Sequence, residues 1–172
     1  MSEPFESPPA PSPDAEDAST VRQMVKGTNI NEQSLLATDY LNHFNEIAMM
    51  LEMIPDMPEF LGEAREWRPK SYPDHFRDSG FSDKDLAIAA YDHAPARYRD
   101  PFDKTVARID RLVALSLDRI EARLGDGDGD ATAAATARAS RALRTLIDAA
   151  SAIIHGGEPT VDQQEIDDLL DV

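Results

Sequence analysis

Cysteine is absent from the 172-residue chain. That single absence excludes disulfides, cysteine-ligated zinc, thiolate nucleophiles and iron–sulfur clusters. Basic residues are also scarce: 17 Lys and Arg stand against 33 Asp and Glu, for a formal charge of −16. A nucleic-acid binder needs clustered cations to release phosphate counterions, and an anionic membrane surface attracts cations as well, so neither is an expected partner. The chain has no run of 18 apolar residues, and its first residues lack the basic start and apolar stretch of a secretory signal. A cytoplasmic protein with no membrane span is expected. Gly-rich phosphate loops and paired Ser/His nucleophile motifs are missing too, so no cofactor is expected and an enzyme is not the first expectation.

The acids that are present sit mostly in three places. Residues 1–20 carry Glu3, Glu6, Asp14, Glu16 and Asp17 with no base and five prolines. The stretch Asp126-Gly-Asp128-Gly-Asp130 adds three, and residues 156–172 add Glu158, Asp162, Glu165, Asp167, Asp168 and Asp171, again with no base. The rest of the chain is close to neutral. An acidic, proline-rich segment with little apolar content cannot bury enough surface to offset its ordering entropy, so residues 1–27 are expected to be disordered.

Helical periodicity dominates residues 28–155, which are expected to form one all-α domain. Asn29 and Glu32 have capping-box spacing, and Leu36, Tyr40, Phe44, Ile47, Leu51 and Ile54 then make an apolar stripe up to Pro55. Pro58 can begin a short helix through Trp67, residues 68–81 read as irregular, and Ser82 can cap a helix ending before Pro95. Asp100 followed by Pro101 looks like an N-cap and first helical residue. From there Phe102, Val106, Ile109, Val113, Leu117, Ile120 and Leu124 recur at helical spacing, and Gly125 is placed for a left-handed stop. After the acidic turn, residues 131–154 form an Ala-rich helix closed by Gly156 and Gly157. Two helices of about 24 residues, each about 36 Å long, joined by a short turn imply a long antiparallel hairpin in a helical bundle.

Three groups of side chains could carry chemistry. Asp126, Asp128 and Asp130 resemble the first half of a calcium loop, but Ala131 and Ala137 stand where Gly and the bidentate Glu belong. Asp39, His43 and Glu46 share a helix face at metal-ligand spacing, yet the two long helices offer no facing inward His, so a buried, hydrogen-bonded His43 is expected and no metal. Met49, Met50, Met53 and Met57 read as core filler. Asp39 and Asn42 place a carboxylate and an amide one turn apart, a pair able to hold and orient a water against an aspartyl phosphate. This resembles the acid-x-x-Asn pattern of some chemotaxis phosphatases and histidine-kinase dimerisation helices.

Residues 156–172 read as a linker and a docking peptide. Ile166, Leu169 and Leu170 fall on one side of a short amphipathic helix, with Glu165, Asp167, Asp168 and Asp171 on the other. So short a helix orders only on a partner, which fits helix-in-groove recognition. Gln164-Glu165-Ile166-Asp167-Asp168-Leu169-Leu170 resembles the Gln-Glu-Glu-Ile-Asp-Ala-Leu-Leu segment at the N-terminus of the flagellar motor switch protein, and the Asp-Asp-Leu-Leu tail of the chemotaxis phosphatase family. Both resemblances imply a peptide that docks on a phosphorylated response regulator. The phosphatase family's Asp-x-x-x-Gln pair does not occur here.

The expected function is therefore a cytoplasmic signalling adaptor, of chemotaxis or motility, that binds a protein partner such as a response regulator through Glu165, Ile166, Asp167, Asp168, Leu169 and Leu170. The alternatives are an aspartyl-phosphate phosphatase acting through Asp39 and Asn42, and a structural helical subunit of a larger assembly. Apolar helices of this kind also leave a homo-oligomer open.

Overall fold

A computed structural model describes residues 13–158 together with Gln164 and Asp168. Among these residues the chain is all-helical, with seven α-helices and no β-strand. They are α1 (Pro13–Met24), α2 (Asn42–Met53), α3 (Phe60–Glu66), α4 (Tyr72–Asp78), α5 (Lys84–Asp92), α6 (Ala96–Gly125) and α7 (Gly129–Ile154). A 3₁₀ turn, Thr38–Leu41, leads into α2. None of the described helices is long and apolar enough to cross a membrane.

The α6/α7 pair is the expected antiparallel hairpin, and α2 packs across α7 while α3 reaches both α2 and α6. Packing follows the stripes: Leu36, Tyr40, Phe44, Ile47, Leu51 and Ile54 are all buried, as are Ile109, Val113, Leu117 and Ile120 on α6. The small residues of α7 contribute Ala139, Ala142, Ala149 and Ala150 to the same core, which is what lets the two long helices approach. Asp128 caps α7 by accepting the Ala131 N–H at 2.9 Å. At the other end Gly156 turns left-handed with φ +84°. Its N–H donates to the Ile153 carbonyl and that of Gly157 to Ala152, the two bonds of a Schellman stop.

Several local expectations give way to tertiary packing. Residues 1–27 were expected to be disordered throughout; residues 1–12 lie outside the described ones, but Pro13–Met24 is helical, and Val21 and Val25 are buried in the common core. Two apolar groups four residues apart are enough to seat a helix on a preformed surface. The helix expected from Asn29 begins only at Asn42. Residues 30–37 instead form a tight loop closed by an Ile30–Ala37 bridge, in which the Asn31 side chain accepts the N–H groups of Gln33 and Ser34. That local bonding competes with helix formation. Leu35 takes a left-handed φ of +60° there and is fully buried, so its side-chain burial offsets a backbone cost of about 1–2 kcal/mol.

Residues 68–81 are not irregular throughout. Ser71 caps α4, its side chain accepting the Asp74 N–H at 3.2 Å, and Tyr72 and Phe76 are buried from it. The cap position of α5 is Asp83, with no side-chain cap bond, in place of Ser82. On α6 Asp100 does not mark the start, and Gly125 is the last helical residue but not the left-handed one. The helix starts at Ala96, carries Pro101 inside, and reaches its left-handed residue at Gly127, φ +71°. A proline in the sixth helical position loses one backbone bond. Burial of Tyr98 and Phe102 on either side of it keeps the turn helical. Met49 and Met57 are exposed and so are not core filler.

Candidate functional site

An aromatic cluster forms the centre of residues 40–102. Tyr40 makes edge contacts with Phe44 and His75 at 5.2 and 5.4 Å, and tilted contacts with Tyr72 and Phe102. The Tyr40 hydroxyl donates to the Lys70 carbonyl at 2.6 Å, and the Tyr72 hydroxyl accepts the Ala37 N–H at 2.8 Å. Both phenols are pushed well above their ordinary pKa, first by burial. They serve as neutral hydrogen-bonding groups that tie the segment before α2 to the α3–α4 connection and the start of α4.

His43 belongs to this cluster. Its ring stacks on Trp67 at 4.6 Å and 21°, and the Trp67 indole N–H donates back to the His43 carbonyl at 3.1 Å. Burial, with His75 and Lys70 nearby, lowers its pKa to about 4. Nε2 has no hydrogen-bond partner. Asp39 lies half-buried in the 3₁₀ turn and Glu46 is exposed on α2; the described residues contain no group of three acids and histidines able to hold a metal ion. Asp39 lies in the 3₁₀ turn while His43 and Glu46 lie on α2, so the three do not share one continuous α-helix.

Asp39 and Asn42 span the junction of the 3₁₀ turn with α2, and residues three apart eclipse in 3₁₀ geometry. Asn42 is exposed, and the Asn42 N–H donates to the carbonyls of Asp39 and Tyr40. His75 hydrogen-bonds the Asp39 backbone, and its pKa is lowered chiefly by burial.

One acid was missed in the sequence. Asp110 sits on α6 four residues after Val106 and three before Val113, at the edge of the apolar stripe. Its Oδ1 is buried without a hydrogen-bond partner, and desolvation raises its pKa to about 6. With Tyr40, Tyr72, Tyr91, Phe102 and Asp103 it lines a cavity of about 350 Å³. Tyr91 donates to Asp103 at 2.9 Å, and the Arg99 guanidinium covers the Tyr91 ring at 4.2 Å. A carboxylate at stripe spacing was the available signal.

The second surface feature is a groove of about 430 Å³ between α6 and α7. Leu112, Ala139 and Ala142 form its floor; Arg119, Arg123 and Arg138, all exposed, form its rim. Of the expected partner-binding residues, Asp168 is helical and exposed, and accepts from the Gln164 side chain at 3.1 Å. Glu165, Ile166, Asp167, Leu169 and Leu170 lie outside the described residues. The chain matches no protein-family model, no curated protein and no solved structure.

Proposed function

We propose that the chain is a signalling adaptor: a helical body that carries an acidic amphipathic peptide, residues 160–172, for docking on a protein partner such as a phosphorylated response regulator. The observation behind this reading is the double-glycine stop of α7. The Schellman bonds of Gly156 and Gly157 end α7 at Ile154, ahead of the acidic stretch in the sequence. Its pattern supplies the chemistry. Ile166, Leu169 and Leu170 offer three aliphatic groups to a groove, each contributing about 1.5–3 kcal/mol before ordering costs, and the acids steer the encounter. Micromolar affinity follows from so small a contact.

The test is a titration of a phosphorylated chemotaxis receiver domain with the full chain and with Leu169→Ala/Leu170→Ala. Saturable binding that the double variant loses supports the reading; equal binding by both, or none by either, removes it.

Asp39 and Asn42 sustain the phosphatase alternative, because the 3₁₀ junction sets them on one side and leaves the Asn42 amide exposed. Phosphate release from the same receiver domain, abolished by Asn42→Ala with binding intact, would favour it.

A further inference from the structure

The rim of the α6/α7 groove carries three arginines, while the C-terminal segment carries only acids. Arg123 is partly engaged, 3.8 Å from Asp126, whereas Arg119 and Arg138 stand exposed on opposite banks. The floor is apolar apart from the buried Ser116. We propose that residues 160–172 of the same chain dock in this groove, their aliphatic face on Leu112, Ala139 and Ala142 and their acids against the arginine rim.

Chain length fits this placement. Along α7 the groove runs from Ala142 to Ala131, about 21 to 38 Å from the Gly156 stop at the helical rise. Gly156 and Gly157 form the turn, and an extended linker of residues 158–160 then covers about 10 Å. A helix from Val161 then sets Leu169 about 22 Å and Leu170 about 24 Å from that stop, level with Ala142 and Ala139 at the near end of the groove. The charges fit as well. At 100° per residue, Glu165 and Asp167 flank the Ile166/Leu169/Leu170 face on its two sides, one toward the α6 arginines and one toward Arg138. The docked helix is antiparallel to α7 and ends about 12 Å short of the 126–130 turn.

This inference rests on reading the tail as a docking peptide and adds its regulation. The face offered to a partner is the face the groove covers, so body and partner compete for it, and reversing the arginine rim releases the tail.

The absence of cysteine makes the test direct. The full chain with Asp130→Cys and Val172→Cys, labelled as a fluorescent donor–acceptor pair, should show high energy transfer, because the tail end lies about 12 Å from the turn along the helix axis. Arg119→Glu with Arg138→Glu should remove most of that transfer, and so should salt near 1 M, where the screening length falls to about 3 Å. Adding Glu165→Arg with Asp167→Arg to the reversed rim should restore it, a rescue that an unfolded body could not give. Transfer indifferent to the rim charges overturns the proposal. Transfer between singly labelled chains after mixing also overturns it, by making a second copy the occupant. No partner enters the experiment, so its failure is separate from failure of receiver-domain binding.

Discussion

The Ser34 hydroxyl donates to the Ile154 carbonyl oxygen across 2.5 Å, fastening the loop before α2 to the last turn of α7. That carbonyl is among the four at a helix end that have no intrahelical partner, and Ser34 is fully buried. Ser34→Ala leaves it unsatisfied at a cost of about 1–3 kcal/mol. Urea unfolding of the two proteins reads the difference, and identical midpoints would show the bond contributes nothing.

Two of the three left-handed glycines, Gly127 and Gly156, should separate strain from crowding. A Cβ at Gly127 meets nothing within 4 Å, so Gly127→Ala carries only the left-handed backbone cost of about 1–2 kcal/mol. At Gly156 the same atom would fall 2.6 Å from the Gln33 side-chain oxygen. Gln33 itself bonds the Tyr98 hydroxyl, so it cannot swing away freely. Gly156→Ala should therefore destabilise more than Gly127→Ala in thermal unfolding.

Val113→Asp should unfold the body, because Val113 is buried between the long helices and an unpaired carboxylate there has no partner. Asp128→Asn keeps a good N-cap on α7 and should be nearly neutral, whereas Asp128→Ala should cost about 1 kcal/mol. Circular dichroism melts rank the three; similar small effects would contradict the hairpin packing.

His43 and Asp110 pull stability in opposite directions with pH. Folding lowers His43 from 6.5 to about 4, so the unfolded chain takes up a proton first and stability falls as pH drops through that window. Folding raises Asp110 from 3.8 to about 6, so its contribution is complete below the lower value and is lost as pH rises through the upper one. The slopes offset between about 4 and 6. His75, also lowered by burial, adds to the His43 side. Asp110→Asn removes the opposing slope. That variant should be more stable than the parent near neutrality and should lose stability more steeply on acidification, as read by denaturant midpoints across the range. Parallel curves would place Asp110 in contact with water.

The sequence by itself determined the all-helical class, the α6/α7 hairpin and most of the core. A stripe repeating at 3.6 residues has one way to hide from water, and Phe44 through Ile54 on one run and Ile109 through Ile120 on the other are buried as that period requires. Tertiary structure decided where the local signals stop applying. Asp100 and Pro101 mark a helix start by their own chemistry, but Tyr98 and Phe102 are buried on one face, and their packing carries α6 back to Ala96. Val21 and Val25 find a site only because the rest of the core already exists. Asp110 has the sequence of an ordinary helix-face acid; only the aromatic wall of Tyr40, Tyr72, Tyr91 and Phe102, drawn from distant segments, strips its water and changes its proton affinity. Propensity and period are properties of neighbours along the chain, while desolvation belongs to neighbours in space.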